Sequence, residues 1–258
     1  MVKKILYIKP TNYNALNHSI KEYLEKYKDA NTEIDVVNIS KGPKHLEYMY
    51  YESLASLEIL RLVKEAENKG YDGAIIGCFY DPVLYAAREI CEHMVVSAPA
   101  ESSMHIAATL GRSFSIIIGR NKWILEMNDN VHKYCFADKL ASFRSVNLGV
   151  LDFHADPAHT EQMMRQEINL AIKEDRAESI ILGCTMQFGF FEQLQKEFSV
   201  PIIDSMLAAL KYVELLVEIR DKMNWYTSKV GGFATPDRVE IKEWHIEEDY
   251  NIQGLWTE

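Results

Sequence analysis

The sequence predicts an α/β protein of two pseudo-symmetric α/β domains, with mainly parallel sheets and an interdomain active-site cleft. Three observations carry that expectation. Short apolar runs alternate with helix-length segments along most of the chain, the pattern of βα units and parallel sheets. Two of the runs end in near-matching contexts, Asp72-Gly73-Ala74-Ile75-Ile76-Gly77-Cys78 and Glu178-Ser179-Ile180-Ile181-Leu182-Gly183-Cys184. Residues 71–104 and 177–206 also share one layout: strand, Gly-Cys, helix, short strand, then a polar turn into another helix. This is a weak internal repeat.

The first half opens with a strand candidate at 4–8. Residues 20–27 carry apolar residues at helical spacing, with Ser19 as candidate N-cap. Residues 33–39 alternate and read as a second strand, and 51–68 as a long helix stopped near Gly70. The third strand, 74–76, ends at Cys78. Asp81 then stands where it can cap a helix with Pro82 at its first position, running to about Glu92. Val95 and Val96 form a short strand, and Pro99 restarts a helix that ends near Gly111.

The same grammar recurs in the second half. A strand at 114–118 leads to a helix at 123–134, and a strand at 141–148 to a helix at 157–172 capped by Asp156. The strand at 180–182 ends at Cys184, and a helix at 190–198, a strand at 200–203 and a helix at 206–220 follow. The expected domains are 1–96 plus 212–258 and 97–211. From Trp225 the rhythm breaks. Gly231-Gly232 and Pro236 mark loops, 238–246 alternates charged and apolar residues, and Trp225, Trp244 and Trp256 are placed to anchor a packing extension.

A chain of 258 residues can bury a sizeable core as one large domain or two small ones. The net charge of −10 argues against a nucleic-acid face, which needs clustered Lys and Arg. No apolar run approaches the roughly 20 residues that span a bilayer. The N-terminal apolar stretch is too short for a signal segment, so a cytoplasmic address is expected. The four cysteines, at 78, 91, 135 and 184, are then expected as reduced thiols, and none forms the Cys-x-x-Cys pair of a structural zinc site.

Cys91 and Cys135 fall within helical patterns and read as packing residues. Cys78 and Cys184 read differently. Each lies beyond a glycine at a strand's carboxyl end, where open α/β sheets bind ligands, and next to a helix start whose N–H groups favour a thiolate. Two thiols on opposite faces of a carbon acid suit a two-base racemase. One thiolate removes the α-proton and the other, as thiol, returns one to the opposite face, and a thiol pKa near 8.5 is not far from working pH. This chemistry needs no metal or cofactor. Thr11, Asn12 and Asn14 follow the first strand as candidate substrate donors, although such residues commonly serve turns. Thr185 can hold a carboxylate or imide oxygen beside the helix N–H groups. His105 reads as a helix histidine, and Asp204 as a cap.

These residues resemble the aspartate/glutamate/hydantoin racemase superfamily, most closely its hydantoin racemase branch. The resemblance covers nearly the whole chain. It rests on Cys78-Phe79-Tyr80-Asp81-Pro82 and Leu182-Gly183-Cys184, in order and at this spacing. Gly42-Pro43, Ala100-Glu101, Met104-His105, Val200-Pro201-Ile202-Ile203-Asp204 and Thr227-Ser228-Lys229 support it. It implies two pseudo-symmetric α/β domains, an active site at their interface, and cofactor-independent racemisation by Cys78 and Cys184. Pro10, Thr11, Asn12, Phe79 and Thr185 are the expected substrate contacts. The chain departs where substrate is recognised. The branch usually reads Asn-Pro-Asn-Thr where this chain has Lys9-Pro10-Thr11-Asn12, and a small Gly-containing stretch where it has Thr185-Met186-Gln187.

A 5-substituted hydantoin or related cyclic amide is the favoured substrate, because its α-proton is far more acidic than that of a free amino acid. Aspartate or glutamate comes next. Single-cysteine decarboxylases and cis-trans isomerases are rivals within the superfamily, and the second cysteine weighs against the decarboxylase. A non-catalytic small-molecule binding or regulatory protein is the rival from another class. A small molecule is the expected partner, in a homo-oligomer.

Overall fold

The alternating runs fold into two four-stranded sheets, both wholly parallel. Residues 2–256 are described in this computed structural model. The first sheet joins β1 (Lys3–Lys9), β2 (Thr32–Asn38), β3 (Gly73–Ile76) and β4 (Val95–Ser97) in the order β2-β1-β3-β4. The second joins β5 (Phe114–Ile118), β6 (Leu140–Ser145), β7 (Ser179–Leu182) and β8 (Ile202–Asp204) in the order β6-β5-β7-β8. The two orders are the same pattern repeated. The strands that deliver the cysteines, β3 and β7, are interior and buried along their whole length. That burial explains why they read as continuous apolar runs rather than as alternation.

Helices connect the strands: α1 (Asn17–Tyr27), α2 (Met49–Asn68), α3 (Leu84–Ile90), α4 (Pro99–Leu110), α5 (Ile124–Lys133), α6 (Pro157–Lys173), α7 (Phe191–Glu197) and α8 (Ser205–Met223). Two of them change sides. Helix α4 leaves the first sheet yet packs on β7 and β8, whereas α8 leaves the second sheet and packs on β3 and β4. Their hydrogen bonds mirror each other. Ser97, at the end of β4, donates to the Ala209 carbonyl of α8 (3.0 Å), and Ser179, at the start of β7, donates to the Ala107 carbonyl of α4 (3.4 Å). Val213 and Val217 of α8 share an apolar cluster with Ile75 and Val95. Removing each such side chain from water contributes about 1.5–3 kcal/mol.

Several local expectations change. Ser19 does not cap α1, which begins at Asn17 behind Leu16 and has no side-chain cap. The entry is fixed instead by a polar cluster, in which Asn17 accepts from the Lys9 ammonium (2.8 Å) and donates to Asn38. Asp81 and Pro82 do not start a helix. Asp81 and Val83 have φ near +50°, so the chain turns tightly from Cys78 and α3 begins only at Leu84. The Asp81 carboxylate turns elsewhere and accepts from the N–H groups of Ala100 and Glu101 (2.8 Å each), capping α4. The strand expected over 141–148 ends at Ser145. Asp156 and Asp204 do cap α6 and α8.

In the tail, Trp225 and Trp244 are largely exposed, while Trp256 lies under the Lys64 ammonium (4.9 Å). The alternating stretch from 238 contains a short helix, α9 (Arg238–Glu243), because Asp237 caps its first turn. Among the described residues no helix is long and apolar enough to cross a membrane.

Candidate active site

The paired Gly-Cys steps have a steric cause. Gly77 and Gly183 each continue their ladder by one bond, donating to the Ile8 and Ile117 carbonyls (2.8 Å each). A Cβ at Gly77 would stand 2.5 Å from the Tyr7 hydroxyl, and one at Gly183 would stand 2.5 Å from Ile116 Cγ2. Both are closer than atoms can pack, so the chain passes there only without side chains. The next residue is free to turn its thiol outward from the strand end.

Cys78 and Cys184 line one pocket, each partly exposed to it. Pro10, Thr11, Phe79 and Thr185 line it with them. Asn12 does not. It lies exposed, with its N–H donating to the Pro43 carbonyl (2.8 Å) and its amide to the Ser40 carbonyl (3.3 Å), so it ties two loops together. Leu46, Trp123, Met127, Val150 and Leu151 supply the largely apolar remainder of the wall.

The two sulfurs have matching surroundings. The N–H two residues on donates to each, Tyr80 to Cys78 and Met186 to Cys184. The expected N–H groups are therefore present, supplied by tight turns. The Cys184 turn is braced by Gln187, whose side-chain carbonyl accepts from the Cys184 N–H (3.1 Å). Burial outweighs these donors. It pushes Cys184 up to about 12 and Cys78 well above an ordinary thiol, where values near 8.5 were expected. Glu52 adds to the shift at Cys78 and Glu47 at Cys184. Beside Glu52, Glu126 is pushed up to about 9 by burial and their mutual hydrogen bond.

Thr185 does not present a free hydroxyl proton to the pocket. It donates to the Gly77 carbonyl (3.1 Å) and is hydrogen-bonded to Tyr7. Tyr7 is buried below the thiols, and burial raises its phenol far above its usual range. Tyr7, Lys9, Glu47 and Trp123 also line the pocket. Sequence reading assigned none of them a role. A buried Lys9 at a strand end was the one available signal. Its ammonium donates to the Tyr13 carbonyl (2.6 Å) and to Asn17, and burial pulls it down to about 8. Among the described residues no three His, Cys, Asp or Glu side chains gather as a metal-ligand set.

The family model described as Asp/Glu/Hydantoin racemase matches residues 5–213. The chain is 35% identical over 239 residues to a hydantoin racemase of Pseudomonas sp. (strain NS671), covering 92% of this chain and 93% of that one. It is 33% identical to a hydantoin racemase of Paenarthrobacter aurescens, covering 90% and 97%. The allantoin racemase structure from Klebsiella pneumoniae superposes with a TM-score of 0.85 at 30% identity, covering 92% and 94%. The fold and these relatives define an isomerase, a racemase by reaction class. The chain belongs to the Asp/Glu/hydantoin racemase family.

Proposed function

We propose that this racemase inverts a 5-substituted hydantoin or related cyclic amide, with Cys78 and Cys184 as its two acid/bases and no cofactor. The observation that carries the reading is that both thiols line one largely apolar pocket. One cysteine, as thiolate, takes the proton from the ring carbon. The C–H bond breaks, an S–H bond forms, and the electron pair spreads onto the neighbouring carbonyl. The opposite thiol then gives its proton to the other face, so the two sulfurs exchange protonation states in each turnover. The Tyr80 and Met186 N–H groups support whichever sulfur is charged. The apolar surroundings keep each thiolate basic, which favours proton removal from carbon.

An apolar wall also favours a neutral ring over a free amino acid, whose carboxylate and ammonium would both need partners. Lys9, the buried cation of the pocket, is already engaged by Tyr13 and Asn17. The relatives whose names specify hydantoin and allantoin point the same way. The test is chiral chromatography of enantiopure 5-benzylhydantoin, allantoin, aspartate and glutamate after incubation with the protein. Loss of optical purity is expected in the cyclic amides. Racemisation confined to the amino acids would overturn the reading.

A further inference from the structure

Trp123 brings a buried polar atom to the pocket wall and gives it nothing to bond. The residue is 2% exposed, closes the one-turn helix Asn121–Trp123 that leads into α5, and lines the pocket with Cys78 and Cys184. Its indole N–H is buried and has no hydrogen-bond partner among the described residues. The other buried groups in that position, on Thr32, Ser103, His154, Gln187 and Ser205, belong to residues outside the pocket wall. The ring is held at its far edge. A Cβ at Gly119 would run into Cη2 and Cζ3 of the six-membered ring, so the indole packs there against bare backbone just past β5. With that edge spent on Gly119, the five-membered edge that carries the N–H is what the side chain has left for the pocket. The apolar residues that share the wall, Leu46, Met127, Val150 and Leu151, carry no side-chain oxygen or nitrogen to accept from it. An indole N–H only donates, and a buried donor left unpaired is costly. A ligand that supplies an acceptor recovers that cost.

We propose that Trp123 is a substrate-binding residue whose indole N–H donates to a carbonyl oxygen of the cyclic amide. This rests on reading the pocket as a cyclic-amide site, and it names the donor that meets the ring there. A neutral carbonyl suits a lone N–H in an apolar wall, whereas a carboxylate would be left short of partners. The rigid indole gives the bond one direction, which orients the ring with respect to the two thiols. Hydantoin itself tests the proposal without turnover. Its reacting carbon carries two hydrogens, so it has no enantiomer to convert and its binding is read at equilibrium.

The chain has four tryptophans, hence four indole resonances in a nitrogen–proton correlation NMR spectrum. Trp123→Phe assigns the one from Trp123. Should that variant fail to fold, Trp225→Phe, Trp244→Phe and Trp256→Phe assign it by elimination. Saturating hydantoin is expected to move the Trp123 proton downfield and slow its exchange with solvent, while the largely exposed Trp225 and Trp244 stay in place. Trp123→Phe keeps an aromatic wall and removes the donor. Its Kd for hydantoin, measured by calorimetry, is expected to rise about three- to tenfold. A Trp123 resonance unmoved at saturation, or an unchanged Kd in Trp123→Phe, overturns the proposal. If hydantoin binds and 5-benzylhydantoin is racemised while Trp123 stays silent, this proposal alone falls. If no cyclic amide binds or is racemised, the cyclic-amide reading falls with it.

Discussion

The hydroxyl of Thr185 donates to the carbonyl of Gly77, 3.1 Å away, so the turn after one cysteine is bonded to the residue before the other. This one contact ties the two cysteine-bearing turns together. Thr185→Val keeps the shape and removes the donor, leaving a buried carbonyl unpaired. A loss of about 1–3 kcal/mol in urea unfolding is expected, together with lower activity. Thr185→Ser should recover most of both. Equal stability of the Val and wild-type proteins would show that the bond carries no weight.

Replacing Cys78 or Cys184 by Ser is expected to abolish net inversion, since a hydroxyl near neutral pH is a far poorer base than a thiolate. In deuterium oxide each variant should still exchange the α-proton of one enantiomer, and the two variants should prefer opposite enantiomers. Proton NMR of each enantiopure hydantoin reads this directly. Exchange of both enantiomers by a single variant would contradict one thiol per face.

The acid limb of activity should be long. A working pair needs one thiolate and one thiol, and burial raises both thiols, Cys184 to about 12. Below the first ionisation of the pair, the active fraction grows about tenfold per pH unit. We expect kcat/KM to climb at close to that slope from pH 6 to 8, without the plateau that an ordinary thiol begins to show near 8. A bell centred on pH 7 would mean that bound substrate or solvent relieves the burial.

Asp81 links the first cysteine turn to α4, and burial raises its carboxyl to about 7 despite the Ala100 and Glu101 N–H groups and the Tyr134 hydroxyl. The folded value exceeds the unfolded one. Its stabilising contribution is therefore complete below about pH 4 and is lost as the pH rises through 7. Asp81→Asn removes that titration. Between pH 5 and 7 the wild type should lose stability relative to the variant by about 1.4 kcal/mol per pH unit, measured by urea unfolding. Parallel curves would place the Asp81 carboxyl near its ordinary range.

Both parallel sheets were legible because β3 and β7 are short, wholly buried and stopped by glycine, a pattern that needs no distant information. The placement of Cys78 and Cys184 just past those two strand ends was legible for the same reason. What failed depended on contacts far along the chain. Asp81 looks like the cap of the helix beside it, but its partners are Ala100 and Glu101. Asn12 looks like a substrate donor, but Ser40 and Pro43 take its bonds. Glu47 is an ordinary surface residue by composition, and only the fold buries its carboxylate in the pocket wall, where the exposed Arg120 pairs with it. The thiols' raised pKa values come from the whole enclosure, which no local spacing reveals.

The exchange of α4 and α8 between sheets has a consequence for biosynthesis. As the chain emerges from the ribosome, the strands of the first sheet are complete by Ser97, but the helix that covers β3 and β4 ends only at Met223. Until then Ile75 and Val95 lack their Val213 and Val217 partners and present an apolar surface to the cell. Release of a truncated chain stopping near residue 200 would strand that surface permanently. Fragments 1–110 and 111–258 each hold a helix that belongs on the other's sheet, so co-expressed they should recombine, whereas either one alone should aggregate.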